Sequence, residues 1–229
     1  MCGRYASSLA PEAIARLFRT LNPLPNAPPS WNIAPSQRAL IVRREQASGA
    51  RQLVSMRWGF VPLWMKGPAR AQINARAETV ATAPFFRAAF AARRCLVPAD
   101  AFYEWASTAG AKRPYAIARR DGQPMALAGI WEQAANANDN GAAGTDVCFA
   151  IITTAANALL APIHGRMPAI LPEADWSLWL GESKGDARAL LRPSANDLLR
   201  AWPVDRRVNN PANDGPELLA EVSASGPSV

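Results

Sequence analysis

The chain has 229 residues, 49% of them apolar, which is enough to bury one full core. Its three cysteines, Cys2, Cys95 and Cys148, are odd in number and lack any C-x-x-C spacing. That argues against a disulfide framework or a zinc site and for a reducing, cytoplasmic compartment. The net charge of +7 is unevenly spread: residues 1–120 carry 18 Lys and Arg against 5 Asp and Glu, residues 121–229 carry 7 against 13, and 22 of the 25 cations are Arg. A codon bias would explain arginine over lysine but not the asymmetry between halves, so a polyanionic partner, nucleic acid foremost, is expected. No run approaches the ~20 apolar residues of a membrane span and no signal peptide is visible, so no membrane partner is expected.

Residues 11–21 read as a helix, with Pro11 in the first turn and Ile14, Leu17, Phe18 and Leu21 on one stripe. The proline-rich stretch 22–35 reads as a packed irregular loop that carries Trp31-Asn32-Ile33-Ala34-Pro35. Residues 39–43 and 52–58 form a predicted hairpin about the Ser48-Gly49 turn, and an aromatic loop, Trp58-Gly59-Phe60-Val61-Pro62-Leu63-Trp64, leads on toward Lys66 and Arg70. Residues 82–93 read as a second helix, with Pro84 in its first turn and Phe86, Ala89 and Phe90 inward. Short strands are predicted at 95–97, 101–105, 115–119, 125–131, 147–153 and 167–171, separated by Gly, Pro or Asp. Such recurrence suggests a barrel or sandwich rather than βαβ units. Residues 134–145 read as a surface loop, 173–180 and 194–202 as helices, 204–208 as a strand and 223–229 as a disordered tail. There is no internal repeat.

Four polar residues stand in settings that carry chemistry. If Met1 is removed, Cys2 presents a free amine and a thiol on adjacent carbons. The amine titrates near ~8 and the thiol near ~8.5, so both are partly nucleophilic at neutral pH without a metal or cofactor. An aldehyde meeting this 1,2-aminothiol forms an imine and then closes through sulfur into a thiazolidine. Alternation in Asn74-Ala75-Arg76-Ala77-Glu78 places Asn74, Arg76 and Glu78 on one face, with an amide to orient a substrate and an arginine for a phosphate. Glu104 lies among aromatics in Phe102-Tyr103-Glu104-Trp105, where burial would raise its pKa into the range of a proton donor and acceptor. His164 is the sole histidine and a natural proton shuttle. Each residue has an ordinary reading too: a second residue without chemistry, a turn-capping Asn with an exposed ion pair, an outward strand Glu, a structural His.

Together the motifs Met1-Cys2-Gly3-Arg4, Asn32-Ile33-Ala34-Pro35, Asn74-Ala75-Arg76-Ala77-Glu78-Thr79, Phe102-Tyr103-Glu104-Trp105 and His164-Gly165-Arg166-Met167-Pro168 resemble, in order and spacing, the SRAP family, the SOS-response-associated peptidase or abasic-site processing proteins. The resemblance runs to Asp214-Gly215-Pro216-Glu217-Leu218, with Ala101 and Gly165 standing where the family often has Gly and Asp. It implies one α+β domain over residues 1–222, with a barrel-like core of short, mostly antiparallel strands and flanking helices. It also implies a cytoplasmic monomer that needs no cofactor and captures abasic sites of single-stranded DNA covalently. Cys2 would be the nucleophile, Asn74 would position it, and Glu104 and His164 would move protons. Arg4, Arg76 and Arg166 would hold phosphates, and Trp31 and Trp64 would stack on or wedge between bases. Two alternatives remain open at this point. One is an N-terminal-nucleophile hydrolase with Glu104 and His164 as base partners. The other is a noncatalytic single-strand binder, which leaves the four polar residues unexplained.

Overall fold

The computed structural model describes residues 2–65, 70–108, 111–134 and 146–223. Met1 and Lys66 lie outside these, as do the expected loop beyond residue 134 and the expected tail beyond residue 223.

Two sheets form the body, both mostly antiparallel. The first has the order β12 (Leu199–Pro203), β8 (Ala111–Arg119), β7 (Ala101–Thr108), β1 (Tyr5–Ser7), β2 (Ser30–Ile33). The second runs β11 (Arg166–Pro168), β10 (Asp146–Ala155), β4 (Arg51–Trp58), β3 (Arg38–Arg44), β6 (Arg94–Ala99), β9 (Met125–Ala134). Strand β9 also pairs with β10, from Asp146↔Ala134 to Ile151↔Gly129, so β10, β4, β3, β6 and β9 close into a ring of pairings. This is the barrel-like core expected from the recurring short strands. The predicted hairpin is β3 and β4, with Gly49 at φ 73° in its turn, a left-handed conformation that suits glycine.

Alternation along the ring divides the core. Leu40, Val42, Leu96 and Ile152 face a cluster covered by α1 (Pro11–Phe18), α2 (Arg87–Ala92) and α3 (Trp176–Leu180), which contribute Ile14, Phe18, Phe90, Trp176 and Trp179. Ile41, Met56, Cys95, Val97 and Ile151 face the opposite cluster, shared with Tyr5, Ile33, Phe102 and Ile117 of the first sheet. The first sheet's other face, with Ala6, Ala101 and Tyr103, is covered by Trp202, Val204, Val208 and Leu218 from the C-terminal part of the chain.

Several sequence expectations are corrected. The first helix stops at Phe18 because Arg19 turns left-handed (φ 56°), which leaves Leu21 outside it and 81% exposed. The stretch 22–35 is not wholly irregular: its prolines bracket Ser30–Ile33, whose free N–H groups let those residues pair with β1 through Tyr5↔Ile33 and Ser7↔Ser30. The second helix shortens to Arg87–Ala92, preceded by turns such as Val80 N to Arg76 O. In place of a helix at 194–202 and a strand at 204–208 there is strand β12, from Leu199↔Arg119 to Pro203↔Tyr115, followed by a 3-10 turn, Arg206–Asn209. Leu199 and Trp202, three residues apart, mimic a helical stripe. An edge strand can also bury both, and it tolerates Pro203. No described helix is long and apolar enough to cross a membrane.

Candidate active site at the seam of the two sheets

The site lies where β10 outruns its ring partners. Beyond Phe149 the edge given up by β4 is taken by β5 (Asn74–Arg76), running parallel through Ile151↔Asn74. Beyond Ile151 the edge given up by β9 is taken by β11, through Thr153↔Pro168. The chain preceding β1 approaches from the first sheet, held to β7 by the bond from Tyr103 N to Arg4 O (3.0 Å). Asn74 is fixed by its neighbour: the Ile73 carbonyl accepts from Ile151 N (3.0 Å) and from Trp58 Nε1 (2.9 Å).

Asn74 Nδ2 donates to the Cys2 carbonyl at 2.8 Å, linking two residues 72 apart in sequence. Its Oδ1 is buried and has no hydrogen-bond partner among the described residues. Cys2 is fully buried beside Tyr5, which stacks edge-on to Trp58 at 5.2 Å. Burial pushes the Cys2 thiol well above its ordinary value, and the charge of Glu104 pushes it further, so the sulfur is held as neutral S–H. Glu104, from the middle of β7, is 3% exposed, and burial raises its carboxyl while His164 opposes the rise. His164 Nδ1 lies 3.9 Å from Glu104 Oε1 and accepts from the Arg166 backbone N–H at 3.0 Å. Asn74 from β5 and Glu104 from β7 thus act directly on Cys2, and His164, in the turn before β11, stands against Glu104. A cleft of about 330 Å3 opens beside them, lined by Glu104, Trp105, Lys112, His164 and Asn209. No cluster of metal-ligating side chains occurs among the described residues.

The residues expected to hold phosphates differ in availability. Arg76 is exposed at the end of β5. Arg4 is engaged by Asn32 Oδ1 (2.8 Å), Val208 O (2.8 Å) and Asn209 O (3.3 Å). Arg166 forms a two-pronged pair with Glu78, at 2.6 and 2.9 Å. Trp64 is 58% exposed and meets Phe85 in a T-shaped contact, whereas Trp31 is half-buried, its carbonyl accepting from Tyr103 Oη at 2.8 Å.

Two features escaped sequence reasoning. Asn32 is a buried hub whose Nδ2 donates to the carbonyls of Val208, Asn210 and Asn213 while its Oδ1 accepts from Arg4. It clasps the C-terminal segment onto β2, and the only signal for it was an amide inside a proline-bracketed apolar stretch. Tyr5, adjacent to the Arg4 motif residue, buries an Oη that has no partner among the described residues. At the two departures from the family pattern the structure places no obstacle. Ala101 is buried at the start of β7, and a Cβ at Gly165 would meet nothing within 4 Å.

A mixed α+β domain, ringed by β10 and its partners, with a buried cysteine met by an amide, a carboxylate and an imidazole, is the class of protein defined here. Residues 1–211 match the family described as SOS response associated peptidase (SRAP), and the chain belongs to that family. It is 35% identical over 227 residues to the abasic site processing protein YoqW of Bacillus subtilis, covering 96% of this chain and 99% of that one. It is 33% identical to the abasic site processing protein YedK of Escherichia coli, covering 97% and 100%. A solved structure from Bacteroides thetaiotaomicron superposes with a TM-score of 0.84 at 24% identity over 97% of this chain, a likeness of fold.

Proposed function

We propose that the protein processes abasic sites in single-stranded DNA by capturing them through Cys2, as a cytoplasmic monomer. The observation that carries this reading is the 2.8 Å bond from Asn74 Nδ2 to the Cys2 carbonyl, which ties residue 2 into a site that also holds Glu104 and His164. A cysteine at position two without chemistry has no need of such neighbours. The relatives named as abasic site processing proteins support abasic DNA as the substrate, and the basic first half supports a polyanionic strand.

With Met1 removed, the Cys2 amine adds to the aldehyde carbon of the ring-opened sugar, and loss of water gives an imine. The Cys2 sulfur then adds to the imine carbon. A carbon–sulfur bond forms, the thiol proton is taken up, and the imine nitrogen is protonated, leaving a thiazolidine and one water. Ring closure is intramolecular and consumes the imine before it can promote β-elimination, so the strand stays intact. Burial disfavours the Glu104 carboxylate and so makes it a stronger base than a solvated one, and it takes the thiol proton as sulfur bonds to carbon. His164, partly open to the cleft, exchanges that proton with solvent. Asn74 Oδ1 is the acceptor that the substrate or the new amine completes. Arg76 takes a flanking phosphate, and Trp64 stacks on or wedges beside a base.

Incubation with a single-stranded oligonucleotide carrying one abasic site, followed by intact-mass analysis, tests this directly. The expected product has the summed mass less one water and survives denaturation. Absence of any adduct from protein lacking Met1 would overturn the reading, and an adduct formed equally with Met1 retained would favour a thiol-only hydrolase.

A further inference from the structure

The cation-rich edge of the site contains a contact that the capture chemistry does not use. Glu78, just past β5, places both carboxylate oxygens on the guanidinium of Arg166, at 2.6 Å to Nη1 and 2.9 Å to Nη2. Nη2 also reaches the Thr153 carbonyl, and Nε is buried. Arg166 therefore has no two-pronged donor pair to offer a strand phosphate while Glu78 is in place. The guanidinium fork accepts carboxylate and phosphate in the same bidentate geometry, so one anion can take the other's seat. Glu78 is also placed to leave. Its side chain is 52% exposed against 21% for Arg166, so the pair is open to a competing anion from the carboxylate side. Its carboxyl is held below the usual range chiefly by Arg166, with the charge of Arg76 adding to the effect, so two cations expected to meet phosphates share this one carboxylate. A cleft of about 350 Å3 is lined by Glu78 together with Asp186 and Arg188, giving a released carboxylate room beside one cation and one anion.

We propose that Glu78 is a built-in stand-in for a strand phosphate: it occupies the Arg166 fork in the unbound protein, and a phosphodiester displaces it when single-stranded DNA enters. The proposal rests on the single-strand reading above. It makes Glu78 a determinant of affinity, since every strand must compete with it and binding at Arg166 exchanges one anion for another instead of releasing counterions.

The test is the salt dependence of binding to an undamaged single-stranded oligonucleotide by wild type, Glu78→Gln, Arg166→Ala and the double variant, with thermal melting to confirm folding. Displacement requires Glu78→Gln to bind about two- to fivefold more tightly at low salt, the worth of a weak exposed pair. Its log-log salt slope should steepen by about 0.7, one further phosphate on a single strand. In the Arg166→Ala background the same substitution should give no gain. Unchanged or weaker binding by Glu78→Gln, or a gain that persists without Arg166, overturns the proposal. The second result would leave only a general charge effect, and the first would make Glu78 a brace for β11. Wild-type protein that binds no single strand and forms no adduct with the abasic oligonucleotide would instead remove the underlying functional reading.

Discussion

Replacing Asn74 by alanine isolates what the amide does for Cys2. The substitution deletes the 2.8 Å bond to the Cys2 carbonyl and leaves that carbonyl, attached to a fully buried residue, without its donor. A hydrogen bond of this kind contributes about 0.5–1.5 kcal/mol net, and orphaning a buried acceptor costs about 1–3 kcal/mol. A loss near 2 kcal/mol is thus expected, lowering the melting temperature by roughly 4–8 °C for a domain of this size. The effect on capture should be larger than that on stability. With its carbonyl released, the residue bearing amine and thiol drifts from the Glu104 and His164 side, and a displacement of about 1 Å costs on the order of 100-fold in rate. Single-turnover capture of an abasic oligonucleotide, followed by denaturing gel well below the variant's melting temperature, measures this. Asn74→Asp keeps the size but turns a carboxylate toward the carbonyl, and it should be at least as slow. Capture by Asn74→Ala within about twofold of wild type, with the melting temperature lowered as expected, would show that the bond holds the fold together and does not aim the nucleophile.

Glu104→Gln should abolish the proton transfer that capture needs while leaving affinity for undamaged strands unchanged; parallel loss of binding would reassign Glu104 to positioning. Its stability has a definite sign. The folded carboxyl titrates above its unfolded value of 4.5, so wild type loses stability as pH rises from there through the folded pKa. The glutamine variant should therefore melt at or above wild type at neutral pH, with the advantage vanishing below 4.5 in thermal scans. A retained Met1 or an uncleaved tag should eliminate the thiazolidine by converting the amine into an amide, and Cys2→Ser should give a transient imine with strand nicking in place of a stable adduct, both read by intact mass and denaturing gel. Arg76→Ala should weaken undamaged single-strand binding and flatten the log-log salt slope by about 0.7 in fluorescence anisotropy, and an unchanged slope would exclude a phosphate contact.

Local chemistry made part of this structure readable in the sequence. The β3–β4 hairpin follows from alternation around Ser48-Gly49, and Gly49 does take the positive φ that such a turn demands. Helix α1 begins at Pro11 as its pattern requires, but its end is not legible because nothing in the spacing of Leu17, Phe18 and Leu21 announces a left-handed Arg19. The stretch at 194–202 misled because two apolar residues three apart fit either period, and the choice was made by pairing with β8, some 80 residues earlier in the chain. The site shows the same division. Cys2, Asn74, Glu104 and His164 were identifiable by their chemical types, and the structure brings them together. The bonds joining Arg4 to Val208, Asn32 to Asn213 and Arg166 to Glu78 span 204, 181 and 88 residues, and no local pattern encodes contacts that only the finished fold creates.

Under the proposed capture chemistry, the burial of Cys2 bears on how long the protein would keep its reactivity between encounters with damage. Peroxides and alkylating metabolites consume the thiolate, not the thiol. A sulfur with no exposed surface, whose ionisation is opposed by both desolvation and the neighbouring Glu104 charge, is shielded from them on both counts. Folded protein should take up iodoacetamide at Cys2 far more slowly than denatured protein, and equal rates would show that the shelter is not real. An exposed, low-pKa cysteine would react with aldehydes faster but would be spent on the ordinary electrophiles of the cell. If Cys2 is the capturing group, placing its sulfur in the core trades speed for chemical longevity.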